Sequence, residues 1–375
     1  MREEPIRIAQ IMGKMNSGGV ESFIMNYYRN IDRNKIQFDF IVDEDSILPQ
    51  KDEIEKLDGK IIKIPGYQNI LKYIYYLTKV LKKNNYKIVH SHLNSLSVFP
   101  LFCAYIAGVP VRIAHSHSTS NKKEKFKDFI KTILKLFSKL FATDYCACTK
   151  HAAEWLFGKK IIRNVTIIPN CIDAKKFKFS ESIRNKFRKE LNIENKFVIG
   201  HVGRFMKQKN HEFLIEVFQK VHLENEDAVL ILIGDGPLEN KIKTKVKELG
   251  IENAVLFLGT KKNANDYMQA MDIFVFPSLY EGLGMVVVEA QCSGMHCIVS
   301  NEVPEDVKLT NNVNFLSLKS SEEWKAEILK RRKKLKDRDN QEKYIIENGY
   351  DINSKENQLQ KLYMKKIETI NLNIC

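Results

Sequence analysis

A chain of 375 residues, 44% of them hydrophobic, is long enough for about two domains with real cores. Its net charge of +14 suits an anionic partner, yet no zinc finger, helix-turn-helix or basic–aromatic interleaving accompanies it, so nucleic acid is not the expected partner. The seven cysteines are scattered and Cys146-Ala-Cys148 has no second pair, which argues against a zinc site or a disulfide framework and fits reduced thiols in a cytoplasmic setting; there is no signal-peptide core and no run of about 18 apolar residues.

Apolar runs at 6–12, 38–43, 60–65, 87–92 and 111–117 predict buried parallel strands, with two more at 145–149 and 165–168. Helical spacing separates them over 20–30, 70–83, 95–107 and 126–141. A second series follows. Strands are predicted at 196–203, 228–234, 254–259, 272–277 and 296–300, and helices at 212–223, 238–249, 264–270 and 285–292. Strand–helix alternation of this kind is the signature of α/β doubly wound domains with parallel sheets, here two Rossmann-like domains. The segment Ile167 to Asp173, IIPNCID, separates the two series and reads as a hinge.

One helical segment stands out. Over 121–142, Phe126, Phe129, Ile130, Ile133, Leu134, Phe137, Leu140 and Phe141 recur at i, i+3, i+4 spacing. Lys127, Lys131, Lys135 and Lys139 stand four apart on another face. Such a helix suits the surface of an anionic membrane. It equally suits a helix with its stripe on the domain core and its lysines in water.

Glycine loops follow several strands. Gly18 and Gly19 open a helix after the first strand, where a phosphate or sugar hydroxyl could sit. HVGRFMKQKNH carries Gly203, Arg204 and Lys209. An Arg fork and a Lys point charge beside a glycine at a strand end suit a diphosphate, although either cation alone reads equally as a solvated one. IGDGPLENK places Gly234, Asp235 and Gly236 before another helix. EGLGMVVVEA sets Glu281 before a Gly-x-Gly turn and Glu289 in the helix that follows. A carboxylate accepts paired hydrogen bonds from vicinal sugar hydroxyls, so two acids suit the two sugars of a nucleotide-sugar. The plain alternative is that Glu is common early in helices. Finally, His90, His92, His115 and His117 end two neighbouring strands. Four imidazoles could hold a metal. No carboxylate or cysteine is spaced with them, so no metal is expected.

These segments resemble the retaining glycosyltransferases of family 4, the group 1 glycosyl transferases on a GT-B fold. VGRFMKQKN is similar to their diphosphate loop, IGDGPL to the loop that closes over the nucleotide, and PSLYEGLGMVVVEA to their E-x7-E motif. IIPNCID resembles their interdomain PNGID, with Cys171 in place of its glycine, and Met295-His296 also departs from the family pattern. Within the family, AHSHSTS, EVPEDVKLTNNVNFLSL and GYDI resemble the branch of bacterial capsule and exopolysaccharide clusters.

The resemblance implies two Rossmann-like domains facing a cleft, with an acceptor domain over 1–172 and a nucleotide-sugar domain over 173–355. A carboxyl-terminal helix, about 356–375, would pack back on the first. It also implies roles. Arg204 and Lys209 hold the diphosphate, and Glu289 takes the ribose. Glu281 contacts the donor sugar, with the Leu283, Gly284 and Met285 backbone beside it. His117 stands at the donor sugar, Gly18 and Gly19 line the cleft, and Gly203, Gly234, Gly236 and Thr260 surround the nucleotide. The implied reaction moves a sugar from a nucleotide-sugar, UDP-linked, to a glycan acceptor carried on lipid, with retention and without a metal or cofactor. The implied place is the cytoplasm or the inner membrane face. Two competing classes are a non-catalytic partner subunit of a transferase complex and a GT-B sugar-nucleotide epimerase.

Overall fold

A computed structural model describes residues 4–16, 18–117, 134, 135, 137, 139–333, 338–353 and 357–372. The chain divides into two compact units. Unit 1 is Met1–Cys171 with Ile352–Cys375, and unit 2 is Ile172–Asp351.

Unit 1 holds seven parallel strands: β1 (Ile6–Gly13), β2 (Ile36–Asp43), β3 (Lys60–Ile64), β4 (Ile88–Ser91), β5 (Val111–Ser116), β6 (Asp144–Ala147) and β7 (Val165–Ile167). Their order is β3-β2-β1-β4-β5-β6-β7. Alternate residues feed opposite faces. Ile8, Phe38 and Phe40 pack on one side, Ala9, Ile11 and Ile41 on the other. A sheet covered on both faces needs continuous apolar strands, and all eight residues of β2 are buried. The helix Gln358–Leu372 returns to this unit and buries Leu359, Tyr363 and Ile367 in its core.

Unit 2 repeats the plan with six strands: β8 (Phe197–Val202), β9 (Ala228–Ile233), β10 (Val255–Phe257), β11 (Ile273–Phe276), β12 (His296–Ser300) and β13 (Val313–Leu316), ordered β10-β9-β8-β11-β12-β13. Its two faces are again both covered, by Val198, Ile231 and Phe274 on one and Ile199, Leu230 and Ile273 on the other. In each sheet the strand order reverses beside the first strand, between β1 and β4 and between β8 and β11. Such a reversal opens a crevice beyond the carboxyl ends of the strands. Both units therefore follow the doubly wound plan, and the fold is of the GT-B class.

Some predicted elements differ in extent. The helix expected over 95–107 is a 3-10 turn, Asn94–Ser97, followed by the helix Val98–Ile106. Pro100 is tolerated in a first turn but not deeper, which fixes where the α-helix begins. The strand expected over 272–277 ends at Phe276, because Pro277 has no N–H to give a ladder. The amphipathic helix expected over 121–142 lies largely outside the described residues. Among the described residues no helix is long and apolar enough to cross a membrane.

Candidate active site

The carboxyl end of β8 leads into loop 203–210, and that of β11 into loop 277–284. The two loops are stitched together. The Leu279 N–H donates to the Gln208 carbonyl at 2.8 Å, and Gln208 Nε2 donates to the Tyr280 carbonyl at 2.9 Å. This stitching brings together two side chains 72 residues apart: Lys209 Nζ donates to Glu281 Oε1 at 2.6 Å. The ammonium also stands 4.6 Å from the centroid of the Phe276 ring. The lysine and carboxylate side chains are only 18% and 9% exposed, so the pair is largely shielded from water. The sequence reading gave these two residues separate ligands. In the structure each is the other's partner. Arg204, by contrast, is exposed, and its guanidinium takes no partner among the described residues.

The loop after β9 packs directly on the loop after β8. The Phe205 N–H donates to the Asp235 carbonyl at 2.7 Å, and the Leu238 N–H to the Phe205 carbonyl at 3.0 Å. Gly234 and Gly236 have φ of +138° and +151°. A Cβ on Gly234 would lie 2.3 Å from the Gly203 carbonyl oxygen, and one on Gly236 2.7 Å from the Phe205 nitrogen. Only glycine fits where backbones pass this closely. Thr260 Oγ1 donates to Asp235 Oδ2 at 2.8 Å and closes the group.

Gly284 (φ +88°) turns the chain into the helix Met285–Cys292, whose first N–H groups lack intrahelical partners. Leu283 is buried and Met285 half-buried. Glu289, on the second turn, is half-buried, and burial raises its carboxyl to about 7 despite the opposing pull of Lys209. A carboxyl raised by burial in this way is of the kind found at functional sites.

Unit 1 carries the remaining predicted residues. Gly18 caps the helix Gly19–Arg29 in an extended conformation, and a Cβ on Gly19 would meet nothing within 4 Å. Local packing does not demand a glycine there. His117, just past β5, is 7% exposed, and its backbone N–H donates to Asn94 Oδ1 at 2.7 Å. Burial lowers its imidazole to about 3, so the ring is neutral. His90, His92 and His115 surround it, fully buried and likewise pushed down by desolvation. The expectation that no cysteine joins the histidines is corrected by the sheet. β6 pairs with β5, opposing Cys146 to His115, and the ligand atoms of His90, His115 and Cys146 lie within 4.8 Å of one another. Those of His92, His115 and His117 do the same. Cys171 is buried, its sulfur 3.6 Å from Tyr27 Oη.

Sequence reasoning missed Gln208 and Phe276 and gave Asp235 no role, although these three hold the loops and the lysine. Their contacts span strands far apart in the chain. The only advance signal was that they flank glycine loops at strand ends.

The profile of the Glycosyltransferase Family 4 domain matches residues 17–176, and that of Glycosyl transferases group 1 matches residues 182–352. EpsF of Bacillus subtilis (strain 168), described as a glycosyltransferase without a stated reaction, is 35% identical over 317 residues, 82% of this chain and 82% of its own. The chain belongs to glycosyltransferase family 4. Among the relatives of this glycosyltransferase is CapH of Staphylococcus aureus, a capsular polysaccharide biosynthesis glycosyltransferase. It is 28% identical over 378 residues, 96% of this chain and 99% of its own. A UDP-Gal:α-D-GlcNAc-diphosphoundecaprenol α-1,3-galactosyltransferase of Escherichia coli is 30% identical over 240 residues, 62% of each chain. Anabaena HepE, solved with UDP-glucose, shares the fold with a TM-score of 0.79 at 17% identity, covering 98% of this chain and 99% of its own.

Proposed function

We propose that this glycosyltransferase moves a sugar, with retention, from a UDP-sugar to a lipid-linked glycan acceptor in the assembly of a surface polysaccharide. The observation that carries the donor half is the shielded Lys209–Glu281 pair at the strand reversal of unit 2, with Arg204 exposed on the same loop as Lys209. Two cations at a glycine loop suit a diphosphate whose charge grows as the glycosidic bond breaks. In this reading Arg204 and Lys209 stabilise that charge, Glu281 takes hydroxyls of the donor sugar, and Glu289 takes those of the ribose. The acceptor hydroxyl attacks on the face the diphosphate leaves, and the departing phosphate oxygen receives its proton. Fixed cations take the place of a metal. The acceptor half rests on likeness, since the E. coli relative acts on a diphosphoundecaprenol-linked sugar and CapH serves capsule synthesis.

Thermal melting with UDP, GDP, ADP and their sugar conjugates checks the donor. Ligand at 100 times its Kd stabilises a site by about 2.7 kcal/mol. UDP and a UDP-sugar are expected to raise Tm by a few degrees, with or without EDTA. A shift with ADP or GDP alone overturns the base assignment, and a shift lost in EDTA overturns the metal-free reading.

A lipid-linked acceptor puts the enzyme at an anionic membrane face. Lys135 and Lys139 belong to the basic segment, and Phe137 and Leu140 beside them are exposed. The helix Ile70–Asn84 adds a second such surface, exposing Leu71, Tyr75 and Tyr76 next to Lys72, Lys79, Lys82 and Lys83. Aromatic rings beside lysines suit the headgroup layer. Flotation with vesicles containing anionic lipid is expected, weakening when Lys127, Lys131, Lys135 and Lys139 become Gln. Unchanged flotation in that variant removes the segment from the contact.

A further inference from the structure

The buried histidines of unit 1 are links in one hydrogen-bonded chain. His117 Nε2 lies 2.8 Å from His92 Nδ1, and His92 Nε2 lies 2.9 Å from Gln10 Oε1. Gln10 Nε2 donates to Tyr363 Oη at 2.9 Å. Tyr363 Oη lies 2.6 Å from His90 Nδ1, and His90 Nε2 lies 3.0 Å from His115 Nδ1. Six side chains from three neighbouring strands, β1, β4 and β5, and the carboxyl-terminal helix thus form a line, every one of them at most 7% exposed.

The line has one polarity, and the amide of Gln10 sets it. Its carbonyl only accepts, so His92 Nε2 carries the proton. A neutral ring has a single N–H, so His92 Nδ1 is a lone pair and accepts from His117 Nε2–H. That leaves His117 Nδ1 as a lone pair, and it is buried without a partner among the described residues. On the other side the amide N–H donates to Tyr363, whose hydroxyl donates to His90 Nδ1. His90 Nε2–H then donates to His115 Nδ1. All four rings are Nε2–H. Turning the amide over would reverse every one of them.

We propose that Gln10 and Tyr363 are positioning residues that fix His117 as its Nε2–H tautomer, so that its Nδ1 is held as an acceptor for a hydroxyl of the sugar substrate. This rests on the glycosyltransferase reading above and on the family resemblance, which implies a sugar beside His117. A buried acceptor lacking a donor is the group that an incoming hydroxyl completes. Tyr363 reaches the line from 353 residues away, which ties the carboxyl-terminal helix to the chemistry of His117.

The test is ring-15N histidine NMR on the full chain, where two-bond correlations distinguish Nε2–H from Nδ1–H rings. All four buried histidines are expected as Nε2–H. In Gln10→Met, His92 and His117 should show mixed tautomers. In Tyr363→Phe, which keeps the packing and removes only the hydroxyl, the amide loses its acceptor and the same mixing should appear. Both variants should lose about tenfold or more in kcat while the UDP-induced melting shift stays unchanged. His117 as Nδ1–H in the wild type overturns the acceptor assignment. A His117 that stays purely Nε2–H in both variants overturns the relay. Histidine resonances that move on adding Zn²⁺, with loss of the Nε2–H signals, show a metal site in its place. A wild type with no UDP shift and no transfer sinks the proposed function instead, and leaves the tautomer measurement standing.

Discussion

Lys209→Met is expected to lower kcat/KM for sugar transfer by about 10²–10³-fold, the loss typical when one preorganised group facing developing charge is removed. The geometry makes the consequences specific. Lys209 is the partner of a Glu281 carboxylate only 9% exposed, so its removal leaves a shielded charge unpaired and destabilises unit 2 by about 1–3 kcal/mol. Arg204→Ala is the cleaner probe. Arg204 is exposed and without a partner among the described residues, so its Tm should match wild type while transfer falls. Glu281→Ala should also impair transfer, because it releases the lysine held between carboxylate and ring. The two losses should not add. Residues acting as a unit are coupled, so Lys209→Met/Glu281→Ala should lie within about tenfold of Lys209→Met alone. Steady-state kinetics with circular-dichroism melts decide it. Transfer within threefold of wild type in both Lys209→Met and Arg204→Ala would falsify the assignment of the diphosphate site.

The sheets were legible because parallel strands buried on both faces must be apolar throughout, and β2, β8, β9 and β12 announce themselves as such runs. Less was visible where burial is one-sided. The helix Ser321–Arg332 has a charged composition; its basic end reads as a solvated helix face from 329 on, but its start escapes notice although Ser320 caps it by accepting from the Glu323 N–H, and Ser-x-x-Glu is a start signal. Helices Lys150–Phe157 and Glu181–Glu190 and strand β13 were likewise passed over. At the site, residue types beside glycines at strand ends marked Arg204, Lys209, Glu281 and Glu289 as candidates. Their partnerships were not legible. Periodicity reports which face a side chain takes, not which distant loop it meets. The bond from Lys209 to Glu281 depends on β8 and β11 being neighbours, which is topology. The resemblance places Gly234 and Gly236 around the nucleotide, while the backbone shows that both are required for loop-on-loop contact.

Glu289 supplies the second large effect, because its carboxyl titrates at about 7. Above that pH it is a carboxylate with two accepting oxygens for vicinal hydroxyls. Below it, one oxygen carries a proton and the paired acceptance is lost. The kcat/KM of the free enzyme for its donor should therefore rise through pH 7, by up to about tenfold per pH unit on the acid side. Glu289→Gln should abolish that limb and sit about 10–10²-fold below wild type at pH 8, the cost of a charged hydrogen-bond acceptor lost from a desolvated site. Stability moves the other way. The folded-state value lies above the ordinary 4.5, so the native protein binds the proton more tightly between the two values. The group's favourable contribution is complete below about 4.5 and is lost as pH rises through 7. Glutamine has no such loss, so Glu289→Gln should melt higher than wild type at pH 8 and close to it at pH 5. A variant that is more stable yet less active, with both differences growing from pH 5 to pH 8, is what a carboxylate kept for binding at a cost to folding requires. A wild-type profile flat from pH 6 to 8, or a limb that survives the substitution, assigns the titration to another group.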